Sequence, residues 1–350
     1  MGMFTLLADG RDEVVQGLTV PAGEKVLGWE RKPHGWCLGD ACIPAFRAAA
    51  AETAAGTDLV AFAGLLGRGV VVDHDERLIA IGDARTISPE EAPEFELDGF
   101  RLGGLRGTKV ALVFWASWCG CRYDLPAWEL LHRELSPDGF SVVSVSLDRN
   151  REDAAPWVED VTHPALVDAE GAVAEMYGVI NVSTVVWIDE EGRVARPQDT
   201  MTATDTFREM NGLSSEAATA ALRRWVVEGE SGLSEQAVRE HLRVPTEEER
   251  LARLHARLAA WLFRRGRADA ARGHARRAAE LAPHDVAIRR GLMPLDGVDP
   301  FGEDYFRLRA ELEASGTPIY RPLSDWAGSG DVTGEARVAA HGTWVPKSDS

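Results

Sequence analysis

The sequence predicts an α/β chain: a central α/β domain, a small N-terminal α/β or β-rich module and a C-terminal α-helical region. Three observations carry this reading. VALVFWA (110–116) and FSVVSVSLD (140–148) are near-continuous apolar runs, the pattern of strands buried on both faces. Helical segments alternate with them, which suits a sheet with helices on its faces. After about residue 205 the pattern becomes amphipathic and helical, as in SSEAATAALRRWVVEG and LSEQAVREHLR.

At 350 residues the chain is long enough for two or three domains. In order, these are a module of unassigned fold at 1–90, an α/β domain at 91–200, a helical region at 201–300 and an irregular tail at 301–350. Within 1–90, VVVDHDERLIAIGD (70–83) reads as a hairpin with a charged turn. FRAAAAETAAG (46–56) reads as a short helix closed by glycine, while GWCLGDACIPAF (35–46) matches no element. In the central domain a helix is expected after VALVFWA, with Leu125, Trp128, Leu131 and Leu135 on one face. Further helices are expected near Arg151 to Asp160 and Ala172 to Tyr177. STVVWIDEEGRVAR (183–196) closes the domain as strand, turn and return strand. At 251–284, Leu258, Ala259, Leu262, Gly266, Ala271, Ala278 and Pro283 resemble one tetratricopeptide unit, a helical hairpin with small residues at the crossing.

The formal net charge of −18 argues against nucleic-acid binding, which needs clustered cations, and against docking on anionic membranes. No apolar run approaches the roughly 20 residues of a membrane span, and no secretory signal is evident, so the expected location is the cytoplasm. There, paired cysteines more often serve catalysis or metal binding than stapling. The four cysteines are Cys37, Cys42, Cys119 and Cys121.

WASWCGCRYDLP (115–126) carries the chemistry. Cys119 follows a predicted buried strand, and Cys121 opens a predicted helix beside Arg122. A helix N-terminus and a nearby cation lower a thiol's pKa. Residues two apart can approach within disulfide reach when the chain bends. Gly120 and the predicted loop imply exposed thiols. A redox pair, a metal or iron–sulfur site and two ordinary buried thiols are the open readings. Asp124 either assists proton transfer or complements the helix dipole. Trp118 shapes substrate approach, whereas Trp115 is packing. Cys37 and Cys42 read as ordinary structural cysteines, with an electron relay or a four-sulfur zinc site with the central pair as alternatives. His34 reads as a surface histidine, and Arg264, Arg265 and Arg267 as a solvated basic turn.

The segment from Glu91 to about Arg196 resembles the thioredoxin-fold thiol-disulfide oxidoreductases of the ResA and TlpA group, within the redoxin (AhpC/TSA) superfamily. APEFELDGFRLGGLRGTKVALVFWASWC (92–119), CRYDLP (121–126) and YGVINVSTVVWIDEEGRV (177–194) carry the likeness, in the family's order. The resemblance implies Cys119 as attacking thiol and Cys121 as resolving thiol, with Arg122 holding the thiolate. Trp118, Gly120, Ser183 and Thr184 would then meet the substrate.

Two departures touch these positions. The family spaces its cysteines by two residues, and here Gly120 stands alone. Ser183 stands where a cis-proline is expected. A cis bond before a non-proline costs roughly 2.5–4 kcal/mol, against 0.5–1 before proline, so a trans Val182–Ser183 bond is expected. The expected function is disulfide reduction or exchange without a cofactor, with a protein disulfide partner or a dithiol electron donor. The helical region offers a surface for a protein partner. A catalytically altered scaffold protein, or metal or iron–sulfur binding through the same thiols, are the competing functions.

Overall fold

The computed structural model describes residues 2–317 together with Ile319 and Leu323. The apolar runs of the central domain do become buried strands. Its five-stranded sheet has the order Ala165–Val167, Phe140–Ser146, Lys109–Trp115, Thr184–Ile188, Val194–Asp199. The first three strands are parallel, and the last two run antiparallel to their neighbours. All seven residues of Phe140–Ser146 are buried, so this strand shows no alternation of polar and apolar residues.

The sheet is covered on both faces. On one side Trp128, Leu131 and Leu135 of the helix Leu125–Leu135 pack with Val113, Trp187 and Trp225. Leu125 departs from the expected common face and joins the opposite cluster, with Leu112, Phe114, Val145, Tyr177 and both central cysteines. Trp225, from the helix Ser215–Glu228, stacks on Trp187 with ring centroids 4.9 Å apart. The helical region thus seals the sheet's outer face.

The expected hairpin at 70–83 is present, with Val70–Asp73 paired antiparallel to Leu78–Ile81. Leu78–Ile81 also pairs in parallel with Met3–Ala8, giving a four-stranded sheet completed by Arg11–Gln16. The expected helix at 46–56 is cut short. It spans Ala45–Ala48, and Glu52–Thr53 and Gly56–Asp58 pair as short strands instead. The unassigned 35–46 segment is a hairpin of Gly35–Leu38 and Ala41–Pro44. Cys37 and Cys42 sit directly opposite each other in it and form a disulfide, which corrects the alternative of a shared four-sulfur site with Cys119 and Cys121.

The helices Glu247–Arg264 and Ala268–Leu281 pair through Ala252, Ala256, Ala260, Ala278 and Ala282. Leu254, Leu258 and Leu262 of the first pack against Leu7, Leu78 and Ala80, which ties the helical region to the N-terminal sheet. The expected irregular tail is corrected at Glu303–Ala314. Tyr305, Leu308 and Leu312 lie three and four residues apart on one buried face of a helix there. The stretch GTWVPKSDS lies outside the described residues. Among the described residues, no helix is long and apolar enough to cross a membrane.

Candidate functional site

Cys119 stands where the buried strand Lys109–Trp115 hands over to a 3₁₀ turn, Gly120–Asp124, that leads into the helix Leu125–Leu135. It caps that turn, accepting the Cys121 backbone N–H at 3.4 Å. As a thiol it donates to the Val182 carbonyl at 3.6 Å. The Val182–Ser183 bond is cis, which corrects the trans expectation drawn from the peptide preference alone. Ser183 Oγ donates to the Met201 carbonyl at 2.8 Å, and Thr184 Oγ1 donates to the Asn181 carbonyl at 2.8 Å. Both hydroxyls, expected to meet substrate, are buried and bonded within the fold.

The exposure expected of the thiols is also corrected. Cys119 is 4% exposed and Cys121 9%. Gly120 explains part of the closure. A Cβ at this position would lie 2.5 Å from the Phe207 ring, so glycine is what lets Phe207 lie against the turn. Phe207 continues into an aromatic cover, 6.1 Å from Tyr123 and 6.3 Å from Phe301 between ring centroids.

Asp124 holds that cover in place. It is buried, and its carboxylate accepts from Thr202 Oγ1 (2.7 Å), Thr204 Oγ1 (2.5 Å) and the Ala203 N–H (3.3 Å). Burial pushes its pKa up, against the Thr204 and Thr202 hydrogen bonds that pull it down.

The two thiols are polarised in opposite senses. The Cys121 side chain's hydrogen bond lowers Cys119 to about 6; burial opposes this, and the Arg290 charge reinforces it. Cys121 is raised well above its ordinary value, first by burial and then by Cys119 itself, with Asp124 adding to the rise. Both directions favour Cys119 over Cys121 as the group that gives up its proton first.

The expected cation is displaced. The Arg122 guanidinium is engaged by the Ser117 carbonyl and lies over the rings of Tyr123 (4.7 Å) and Trp157 (4.9 Å). The cation acting on Cys119 is Arg290, which is 1% exposed. It donates to the carbonyls of Trp118 (3.1 Å) and Pro300 (3.0 Å) and lies over Tyr305 at 4.0 Å. Among the described residues it has no carboxylate partner. The expected role of Trp118 in guiding substrate gives way to packing, since the side chain is buried with the Arg290 guanidinium 5.1 Å from its ring centroid.

Arg290 is carried by the helix Val286–Gly291, which is tethered to the domain. Asp285 caps it by accepting the Ile288 N–H (2.8 Å) and pairs with Arg253 at 2.7 Å. The Ala287 N–H donates to the Ile180 carbonyl at 2.9 Å, beside the Val182–Ser183 bend. Sequence reasoning missed Arg290, although a signal existed. Val286 and Arg290 are four apart, so the arginine falls on the helix's apolar face.

Residues 89–196 match the AhpC/TSA family model. The thioredoxin-like protein YneN of Bacillus subtilis (strain 168) is 30% identical over 167 residues, covering 45% of this chain and 92% of that protein. The thiol-disulfide oxidoreductase ResA of Oceanobacillus iheyensis is 29% identical over 132 residues, covering 34% of this chain and 65% of that protein. Among solved structures, the exposed lipoprotein thioredoxin Etrx1 of Streptococcus pneumoniae strain TIGR4 is 29% identical; the match covers 38% of this chain and 99% of that one, with a TM-score of 0.30.

Proposed function

The chain belongs to the AhpC/TSA family of thioredoxin-like proteins, and from that premise we propose that it exchanges disulfides through Cys119 and Cys121. The observation that carries this reading is a buried guanidinium, Arg290, hydrogen-bonded to the carbonyl of the residue before Cys119 and with no carboxylate partner among the described residues, whose charge helps to lower the Cys119 pKa. A thiolate is the natural counter-ion there, and a thiolate is the nucleophile of exchange.

The Cys119 thiolate attacks one sulfur of a substrate disulfide and expels the other as a thiolate, forming a mixed disulfide. Cys121 then loses its proton and attacks the Cys119 sulfur. The Cys119–Cys121 disulfide forms, and the substrate's second sulfur leaves as a thiol. The cycle closes when an external dithiol reduces the pair and is itself oxidised. The substrate is a protein disulfide, and the aromatic cover around Phe207 is displaced to admit it. The helical region, which supplies Arg290, acts in partner choice.

The burial of both thiols favours one competing reading, a scaffold whose pair is redox-inert. Among the described residues, no third His, Cys, Asp or Glu converges with Cys119 and Cys121 into a metal-binding group. Differential alkylation with mass spectrometry across a glutathione redox series, with metal content measured on the same sample, decides between them. Interconversion of dithiol and disulfide supports exchange, and a pair that stays reduced and metal-free supports the scaffold. A Cys119→Ser chain that keeps full dithiol-dependent reductase activity would sink the proposal.

A further inference from the structure

The N-terminal module holds a second sulfur site with a different composition. Cys37 and Cys42 face each other across a hairpin, their Cα atoms 4.2 Å apart. The imidazole of His34 lies over the bond between them, with Nε2 at 3.3 Å from the Cys37 sulfur and 3.7 Å from the Cys42 sulfur. His34 and Cys42 are exposed, so reductant and solute can both reach the site.

The backbone fixes the imidazole's position. The His34 carbonyl accepts the Ala45 N–H at 2.9 Å. Gly35 follows at φ +152, where a Cβ would meet the Ile43 carbonyl at 1.9 Å. Only glycine allows the strands to close so tightly beneath His34.

We propose that reduction of the Cys37–Cys42 disulfide turns His34, Cys37 and Cys42 into a three-ligand site for a thiophilic divalent cation of the zinc class. The geometry supports this directly. Zn–S bonds of about 2.3 Å and Zn–N bonds of about 2.0–2.1 Å at a tetrahedral angle place sulfur and nitrogen roughly 3.5 Å apart. The observed separations of 3.3 and 3.7 Å bracket that value. On reduction, the sulfurs need only part to roughly 3.8 Å, which side-chain rotation on facing strands supplies. Two thiolates and an imidazole are donors suited to zinc, and three protein ligands leave one position open.

The steps balance. An external dithiol reduces the disulfide to two thiols and is oxidised to its own disulfide. The cation then displaces both thiol protons to solvent. In the oxidised protein neither sulfur is a thiolate and the site is closed to the cation.

The test is a cobalt(II) titration of the full chain carrying Cys119→Ser and Cys121→Ser, before and after reduction. The reduced protein is expected to bind one equivalent, with thiolate-to-cobalt charge-transfer absorption that zinc abolishes, and the oxidised protein none. His34→Ala, a change at an exposed position that leaves the disulfide intact, is expected to weaken binding roughly tenfold or more. Cobalt-free reduced protein, equal binding by the oxidised form, or unchanged affinity in His34→Ala would each overturn the proposal. Isotope-resolved alkylation of Cys37 and Cys42 confirms which redox state was titrated.

Discussion

Arg290 sets a buried guanidinium against Cys119, reaching back 172 positions in sequence to hydrogen-bond the Trp118 carbonyl. Removing the charge while keeping bulk, as in Arg290→Met, is expected to raise the Cys119 pKa from its value of about 6. The Cys121 hydrogen bond remains, so the rise is partial. Iodoacetamide alkylation of Cys119 at pH 7 should slow several-fold. About thirtyfold is the limit, reached if the thiol returned to its ordinary value near 8.5. An unchanged alkylation rate in a folded variant would remove Arg290 from the account.

The same polarisation makes stability depend on pH. Cys119 is lowered to about 6 by the Cys121 hydrogen bond, against burial and with help from Arg290. Between that value and the ordinary one the unfolded chain binds more protons, so stability rises with pH. The contribution is fully present above the unfolded value and is lost as pH falls through about 6. Cys121, raised well above its ordinary value chiefly by burial, acts in the opposite sense and erodes stability only at higher pH. The melting-temperature difference between the reduced parent and Cys119→Ser should therefore grow from pH 5.5 to pH 8. A flat difference would contradict the assignment.

What the sequence made legible follows from how local each signal is. VALVFWA and FSVVSVSLD declare buried strands because every residue along them packs, and the linked motifs from Ala92 to Val194 carry the redoxin likeness. Both cysteines were visible at a strand end for the same reason. Arg290 was not, because its role depends on a helix tethered through Ile180, a contact no local pattern contains. Arg122 is adjacent in sequence, yet aromatic neighbours claim it. The Cys37–Cys42 hairpin gave no period-two signal because Gly35, Trp36 and Cys37 are buried in succession. The helix at Glu303–Ala314 carried a readable apolar spacing in Tyr305, Leu308 and Leu312, obscured by the turn formers around it.

Phe207 should control which reagents reach the thiols. Its ring lies where a Cβ on Gly120 would be, so Gly120→Ala must push it aside, whereas Phe207→Ala removes it. Both changes are expected to accelerate reaction with a bulky aromatic disulfide reagent several-fold, and more than with iodoacetamide. The ring is only half-buried, so the stability lost in Phe207→Ala should fall below the roughly 3–5 kcal/mol of a core phenylalanine. Equal acceleration by large and small reagents would mean that a general loosening, not the ring, is responsible.

Asp124 links the Gly120–Asp124 turn to the segment that bears Phe207. Its carboxylate receives the Thr202 and Thr204 hydroxyls and the Ala203 N–H, all within the stretch leading to that ring. Asp124→Ala removes this shared acceptor. Thr202 Oγ1 keeps the Thr204 carbonyl (2.7 Å) and Thr204 Oγ1 keeps the Thr206 hydroxyl (2.9 Å), so the Ala203 N–H is the donor left unsatisfied, at a cost of about 1–3 kcal/mol. The segment near 200–212 should then exchange its amide hydrogens faster, while the strand Lys109–Trp115 keeps its protection. The bulky reagent should gain access as it does in Phe207→Ala. Asp124→Asn retains one acceptor oxygen and should show a smaller effect of the same kind. Burial is the main cause of the raised Cys121 pKa, and the Asp124 charge adds to it, so Asp124→Asn should ease deprotonation of Cys121. Single-turnover reduction of a disulfide substrate separates the two effects. Opening the cover speeds formation of the mixed disulfide, whereas a lower Cys121 pKa speeds its resolution. Asp124→Asn that leaves both steps and the exchange pattern unchanged would reduce the carboxylate to a bystander of the helix start.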